Sequence, residues 1–232
     1  DSIISIGSDN NMSNVKPITA VIVGAGHRSL LYGSYALKHP EQFKIVGVVD
    51  PDPIRRNETS RMFSIPQESA FTSIDELLER PLVADAVING TMDSLHVPLT
   101  IPLLKKGYNV LLEKPIGISA DEVLSLWKTA RETGRLVMIC HVLRYAPFYV
   151  EIKKRVAAGK IGKVVHIEST ENVSYHHMVT GFVRGKWNSK DRCGSSFLMA
   201  KCCHDLDIIA WLKSGVAPIS VASFGDLTQF RK

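Results

Sequence analysis

The chain has 232 residues, 45% of them hydrophobic and 22% charged, with a formal net charge of +5. That length and balance describe a soluble globular protein with a sizeable core, in one large domain or two modest ones. No run of eighteen apolar residues marks a membrane span, and the lysines and arginines are scattered rather than gathered in a stripe, so neither a membrane nor a nucleic acid is expected as partner.

The first fifteen residues, DSIISIGSDNNMSNV, lack the charged n-region and long apolar core of a secretory signal; they are read as a leader or tag remnant outside the fold. From Ile18 the pattern becomes regular. ITAVIVG (18–24) is a near-continuous apolar run of strand length, as expected when both faces of a strand are covered. A helix is predicted over 28–38, closed by Pro40, and FKIVGVVD (43–50) is the next buried strand, ending on an acid. Residues 54–63 read as a helix, and Ser73 with Glu76 form a capping box that opens another. VADAVING (83–90) is a third strand, 96–107 a helix closed by Gly107, and YNVLLEKP (108–115) a strand stopped by proline. Ser119 and Glu122 open a helix to about Thr133, and RLVMIC (135–140) is one more strand.

Strands alternating with helices predict a doubly wound parallel sheet over 16–143. After that the rhythm changes. A helix near 147–159 leads into KVVHIESTENVSYH, whose alternation suggests a second sheet; 204–213 is helical in period, and ISVASFGDL (219–227) is strand-like again. Residues 144–232 are therefore expected to form an α+β domain with an open, mostly antiparallel sheet, cut short at the chain end. Four cysteines, two of them adjacent at 202 and 203 and none in a CxxC pair, predict reduced thiols in a cytoplasmic protein and no metal site.

The turn after the first strand reads Gly24-Ala25-Gly26-His27-Arg28-Ser29. Glycine at the first position permits a tight turn, and at the second it lets the backbone approach a pyrophosphate resting on the helix N-terminus. The third position needs a small residue for helix–strand packing, and serine meets that need. Asp50, at the end of the second strand, falls where an acid would accept hydrogen bonds from an adenosine ribose. Its carboxylate would repel a 2′-phosphate, which favours NAD over NADP, although Arg28, Arg55 and Arg56 lie near enough in sequence to keep NADP open.

Further along, DAVINGTMDSLH (85–96), YNVLLEKPIG (108–117), RYAPF (144–148), AGKIGKVVHIE (158–168) and GSSFLMAKCCHDLDIIAWL (194–212) follow in order. Together they resemble the glucose–fructose oxidoreductase / inositol 2-dehydrogenase (Gfo/Idh/MocA) family over about 18–230. The resemblance implies a Rossmann-type nucleotide domain and hydride transfer between NAD(P) and a sugar, inositol or related alcohol or ketone. It also implies a dimer or tetramer at full length. By the same resemblance Lys114 and His204 are the catalytic pair, and Gly24, Gly26, His27, Arg28, Asp50, Thr91, His96, Glu113 and Lys114 surround the cofactor. Arg144, Tyr145, Lys201 and Trp187 are expected to line the substrate. The sequence departs from the family at Ala200, four residues before His204, where an aspartate is usual. Two alternatives stay open: a glycosidase of the same fold with transient redox of bound NAD, and a catalytically silent nucleotide-binding protein.

Overall fold

The computed structural model describes residues 16–226 and 228. Six strands, β1 (Ile18–Val23), β2 (Phe43–Val49), β3 (Ala70–Phe71), β4 (Ala86–Asn89), β5 (Asn109–Leu112) and β6 (Val137–Ile139), form one sheet in the order β3-β2-β1-β4-β5-β6. This is the strand order of a dinucleotide-binding α/β fold, with its reversal point between β1 and β4. The connections are helices α1 (His27–Gly33), α2 (Tyr35–Lys38), α3 (Pro53–Phe63), α4 (Ile74–Glu79), α5 (His96–Lys106) and α6 (Ala120–Thr133). After β6 come α7 (Pro147–Ala157), α8 (Tyr175–His177), α9 (Lys190–Cys193) and α10 (Phe197–Leu212).

The strands are mostly apolar because both faces of the sheet are covered: Val21, Ile22, Val48, Val87 and Leu112 are fully buried. Ala20, Ile22, Ile45, Val48 and Ile88 pack into one core with Phe43 and Phe63 at its margin. The predicted caps are present. Ser73 Oγ accepts from Glu76 N–H at 3.4 Å, and Ser119 Oγ accepts from Glu122 N–H at 3.2 Å. Asp52, a cap the sequence reading did not single out, accepts from Ile54 and Arg55 N–H at the start of α3.

Packing divides the chain into two compact units that interleave along it. Among the described residues, the first comprises 16–91 with Leu99–Leu111 and Lys128–Val137; the second comprises Met92–Pro98, Leu112–Trp127 and 138–226. This differs from the sequential division at 143/144 expected from the change in rhythm. The residues that follow β5 and β6 pack with the later part of the chain.

Three element expectations are corrected. The helix predicted over 28–38 is two helices broken at Ser34, whose hydroxyl donates to Leu31 O at 2.7 Å and competes with helical bonding there. The helix predicted from 204 begins seven residues earlier, at Phe197, capped by Ser196 Oγ on Met199 N–H. The strand-like runs form no strand among the described residues: 164–174 and 219–226 are irregular, and 175–177 is helical. Alternation supplies an apolar face, but a strand needs a hydrogen-bonding neighbour and a covering layer. Here Val165, Ile219, Val221 and Phe224 are almost fully exposed.

Candidate active site

In the first unit, Gly24 closes the turn after β1 with φ +79°, a conformation that side chains resist. A Cβ there would also come within 2.8 Å of Thr91 Cγ2. Thr91 is fixed by Asn89, whose Oδ1 accepts from the Thr91 hydroxyl at 2.8 Å, while Asn89 Nδ2 donates to Thr100 at 3.0 Å. Gly26 is the cap of α1, and no side chain caps that helix. A Cβ on Gly26 would have nothing nearer than Gly90 O at 4.0 Å, so the space above it is open. A helix start without a side-chain cap, below open space, suits the pyrophosphate of a dinucleotide. His27 and Arg28, the next two residues, are exposed.

Ser29 lies where close helix–strand packing demands a small residue. It is fully buried, and its Oγ fills the space that a Cβ on Gly90 would need. Gly90 is held in place by its N–H bond to Val23 O at 3.0 Å, so the ends of β1 and β4 and the start of α1 meet through small residues. Asp50 is 3% exposed and organises the loop itself: one carboxylate oxygen accepts from Ala25 N–H at 2.8 Å and the other from Asp52 N–H at 2.9 Å. Arg56 donates to Asp50 O, and Arg55 pairs with Asp52 at 3.6 Å. Both arginines near the acid thus have partners within their own turn.

In the second unit, α10 carries Ala200, His204, Asp207, Ile208 and Trp211 at spacings of three and four residues, which place them on one face. Lys114 directly follows the buried Glu113 beyond β5, and its Nζ donates to Ala200 O at 2.7 Å. Glu113 accepts from the Lys114 N–H at 2.8 Å, which fixes the main chain at the lysine. The carbonyl of residue 200 therefore serves as the lysine's acceptor where the family resemblance expects a carboxylate. The adjacent Lys201 contacts His177 Nε2 at 2.8 Å and lies 5.6 Å from the Phe182 ring. The Lys201 ammonium is the main cause that holds the His177 imidazole below its ordinary pKa.

His204 is half-buried, and its Nδ1 has no hydrogen-bond partner among the described residues. Burial is the main cause that depresses its pKa, with the Lys114 and His141 charges adding and Glu113 and Asp207 opposing. Beside it stands His141, two residues beyond β6, with ring centroids 6.0 Å apart at 83°. Burial likewise lowers the His141 pKa, against the attraction of Asp207. Arg144 grips Asp207 with two bonds of 2.7 and 2.6 Å and lies 5.8 Å from the Trp211 ring. It acts there as a clamp between the turn after β6 and α10.

The remaining candidates are placed as follows. His96 is 1% exposed, and its Nδ1 lies 2.6 Å from Pro115 O, so it props the Glu-Lys-Pro segment from beneath. Trp187 Nε1 donates to the buried Asp93 carboxylate at 3.2 Å, and Ser195 Oγ bonds the same carboxylate. Tyr145 is exposed. His141 and Asp207 were not singled out from the sequence. The available signals were a histidine just beyond the end of the edge strand β6, the end at which such folds place ligands, and an acid one helical turn from His204. The four cysteines are not joined in disulfides, and among the described residues no group of three or more His, Cys, Asp or Glu side chains is placed to hold a metal ion. No helix among them is long and apolar enough to cross a membrane.

Residues 18–141 match the model of an oxidoreductase family with an NAD-binding Rossmann fold, and residues 149–232 match the Gfo/Idh/MocA C-terminal domain. The chain belongs to the Gfo/Idh/MocA family. Among its relatives is the scyllo-inositol 2-dehydrogenase (NAD(+)) of Bacillus subtilis, 28% identical over 64% of this chain and 43% of that protein. Another is the 2,7-anhydro-N-acetylneuraminate hydratase of Mediterraneibacter gnavus, 30% identical over 87% of this chain and 51% of that protein. In three dimensions it resembles the scyllo-inositol dehydrogenase of Lactobacillus casei, solved with NAD(H) and scyllo-inositol. The TM-score is 0.74 at 22% identity, covering 85% of this chain and 56% of that one. The chain thus spans about half the length of the Gfo/Idh/MocA relatives it matches.

Proposed function

We propose that this Gfo/Idh/MocA chain is part of an NAD(P)-dependent oxidoreductase that acts on a CH–OH group of an inositol, a sugar or a related alcohol or ketone, with NAD preferred. One observation carries the reading: α10 carries a half-buried, neutral-leaning imidazole, His204, and its Ala200 main-chain oxygen holds the Lys114 ammonium that follows β5, in a chain of an NAD-binding oxidoreductase family. Gly24, Gly26 and the first turn of α1 would hold the dinucleotide, shaped by Asp50 and Thr91. A bound nicotinamide would supply the hydride-accepting or hydride-donating chemistry.

The chain's own residues handle the substrate oxygen. For oxidation, His204, neutral near pH 7, takes the hydroxyl proton, while the Lys114 ammonium hydrogen-bonds the oxygen and stabilises the charge that develops on it. For reduction the same groups run in reverse, with His204 returning the proton. Ala200 places no carboxylate beside them, and Lys114 is oriented by a main-chain oxygen instead.

The test is turnover-linked near-UV absorbance with a panel of inositols, hexoses and sugar acids, with and without Lys114→Met. Loss of the lysine is expected to lower kcat by about 10²- to 10⁴-fold, as for removal of an acid–base group. Cofactor-dependent activity that Lys114→Met leaves unchanged would sink this assignment. The likeness to a hydratase supports a second reading, a redox-neutral reaction, which includes the glycosidase alternative. In that case product forms from the panel with no net change in absorbance.

A further inference from the structure

We infer that His141 is a positioning residue for His204: the two imidazoles form one coupled pair that accommodates a single proton. This rests on the proposed role of His204 and deepens it.

The geometry carries the inference. The rings meet edge to face at 6.0 Å, and the Nδ1 atoms of both are buried with no partner among the described residues. Buried polar atoms are normally satisfied, and two orphaned ring nitrogens side by side are rare in a folded core. The groups that face the pair come from every element around it. Glu113 and Lys114 come from beyond β5, Arg144 from the turn after β6, and Cys203 and Asp207 from α10. With the thiol neutral, the two acids and two bases cancel. The one carboxylate within reach of His141, Asp207 at 3.8 Å from its Nε2, is already gripped twice by Arg144.

A first proton on the pair is attracted by Asp207 and Glu113. A second would place two imidazolium ions 6.0 Å apart in a half-buried site with no counter-charge left for it. One proton therefore excludes the other. Occupancy of His141 then decides whether His204 is free to accept the substrate's proton, and the two titrate as a pair rather than as independent sites. A side chain that merely filled space beside His204 would show no such exchange.

The experiment is an NMR titration of the ring Cε1 signals of the purified protein labelled with ¹³C-histidine. The His141 and His204 signals are assigned by the single variants His141→Gln and His204→Gln. The imidazole that takes its proton second in the parent is expected to titrate at a higher pH once the other is replaced by glutamine, because a neighbouring positive charge has been removed. The imidazole that takes the first proton does so beside a neutral ring and is expected to keep its midpoint; the pairwise coupling is one free energy and is read from the sum of the two shifts. Two unmoved midpoints overturn the pairing. Should one glutamine variant fail to fold, asparagine replaces glutamine at that position, and an unmoved midpoint of the second-protonating ring overturns the pairing. The readout needs neither cofactor nor turnover. Coupling without any cofactor-dependent activity would defeat the proposed function and leave the pair standing. Activity without coupling would do the reverse.

Discussion

At the scale of single residues, the site combines groups that local sequence reveals with groups that only folding brings together. Lys114 is legible because the flanking Glu113 and Pro115 mark the end of a buried strand, and His204 because its segment keeps a recognisable order. His141 is not, because its partner Asp207 lies 66 residues away and nothing local announces the pairing. Both imidazoles carry pKa values lowered by burial, which has a consequence for stability. In the unfolded chain they protonate near the ordinary value of about 6.5. In the folded chain they resist it, so the unfolded state binds more protons in the window between. Their contribution is then fully present above about pH 6.5 and is lost as pH falls toward the lowered folded values. Calorimetry between about pH 7.5 and pH 5.5 is expected to show Tm falling, with a shallower slope in His204→Gln than in the parent. Parallel slopes would show that the acid sensitivity arises elsewhere.

At the scale of elements, the strands were readable because a sheet covered on both faces leaves nearly uninterrupted apolar runs. The helix starts at 74 and 120 were readable because serine caps announce them. What escaped was set by local competition or by packing. Ser34 breaks one helix with its own hydroxyl, and α10 starts early because Ser196 caps a stretch with no helix period strong enough to be seen. Ser29 illustrates how an apparent departure from a glycine pattern is settled by its neighbour. Its Oγ is buried without a partner and occupies the space left by Gly90. Ser29→Ala is therefore expected to leave stability unchanged or raise it by up to about 1 kcal/mol, since a buried orphan hydroxyl is removed. Gly90→Ala is expected to cost about 1–3 kcal/mol by overpacking, and most of that cost should vanish in the Ser29→Gly background. Urea unfolding of the four proteins checks the cycle; additive effects would mean that the two positions do not share the space.

At the scale of the whole molecule, the chain combines a turn proposed to hold a dinucleotide with a proposed acid–base histidine, and a ligand that binds only the folded state must raise its stability. The rise follows mass action, about 2.7 kcal/mol at a ligand concentration a hundredfold above Kd. For a chain of this size that corresponds to a Tm increase of roughly 5–10 °C. NAD is expected to produce this shift and NADP a smaller one. The cause is Asp50, whose buried carboxyl accepts from Ala25 and Asp52 N–H at the end of β2, where a dinucleotide fold brings the ribose and where a 2′-phosphate would crowd an acidic side chain. Of the three arginines that could offset it, Arg56 and Arg55 are engaged with Asp50 O and with Asp52, and Arg28 is exposed. Gly24→Ala provides the control for the loop. Its φ of +79° and the proximity of Thr91 Cγ2 make a side chain strained there, so the variant should lose about 1–3 kcal/mol in the absence of ligand and most of the NAD-induced shift. An equal or larger shift with NADP would reverse the cofactor preference. A full NAD shift in Gly24→Ala would mean that the dinucleotide is held somewhere other than this turn.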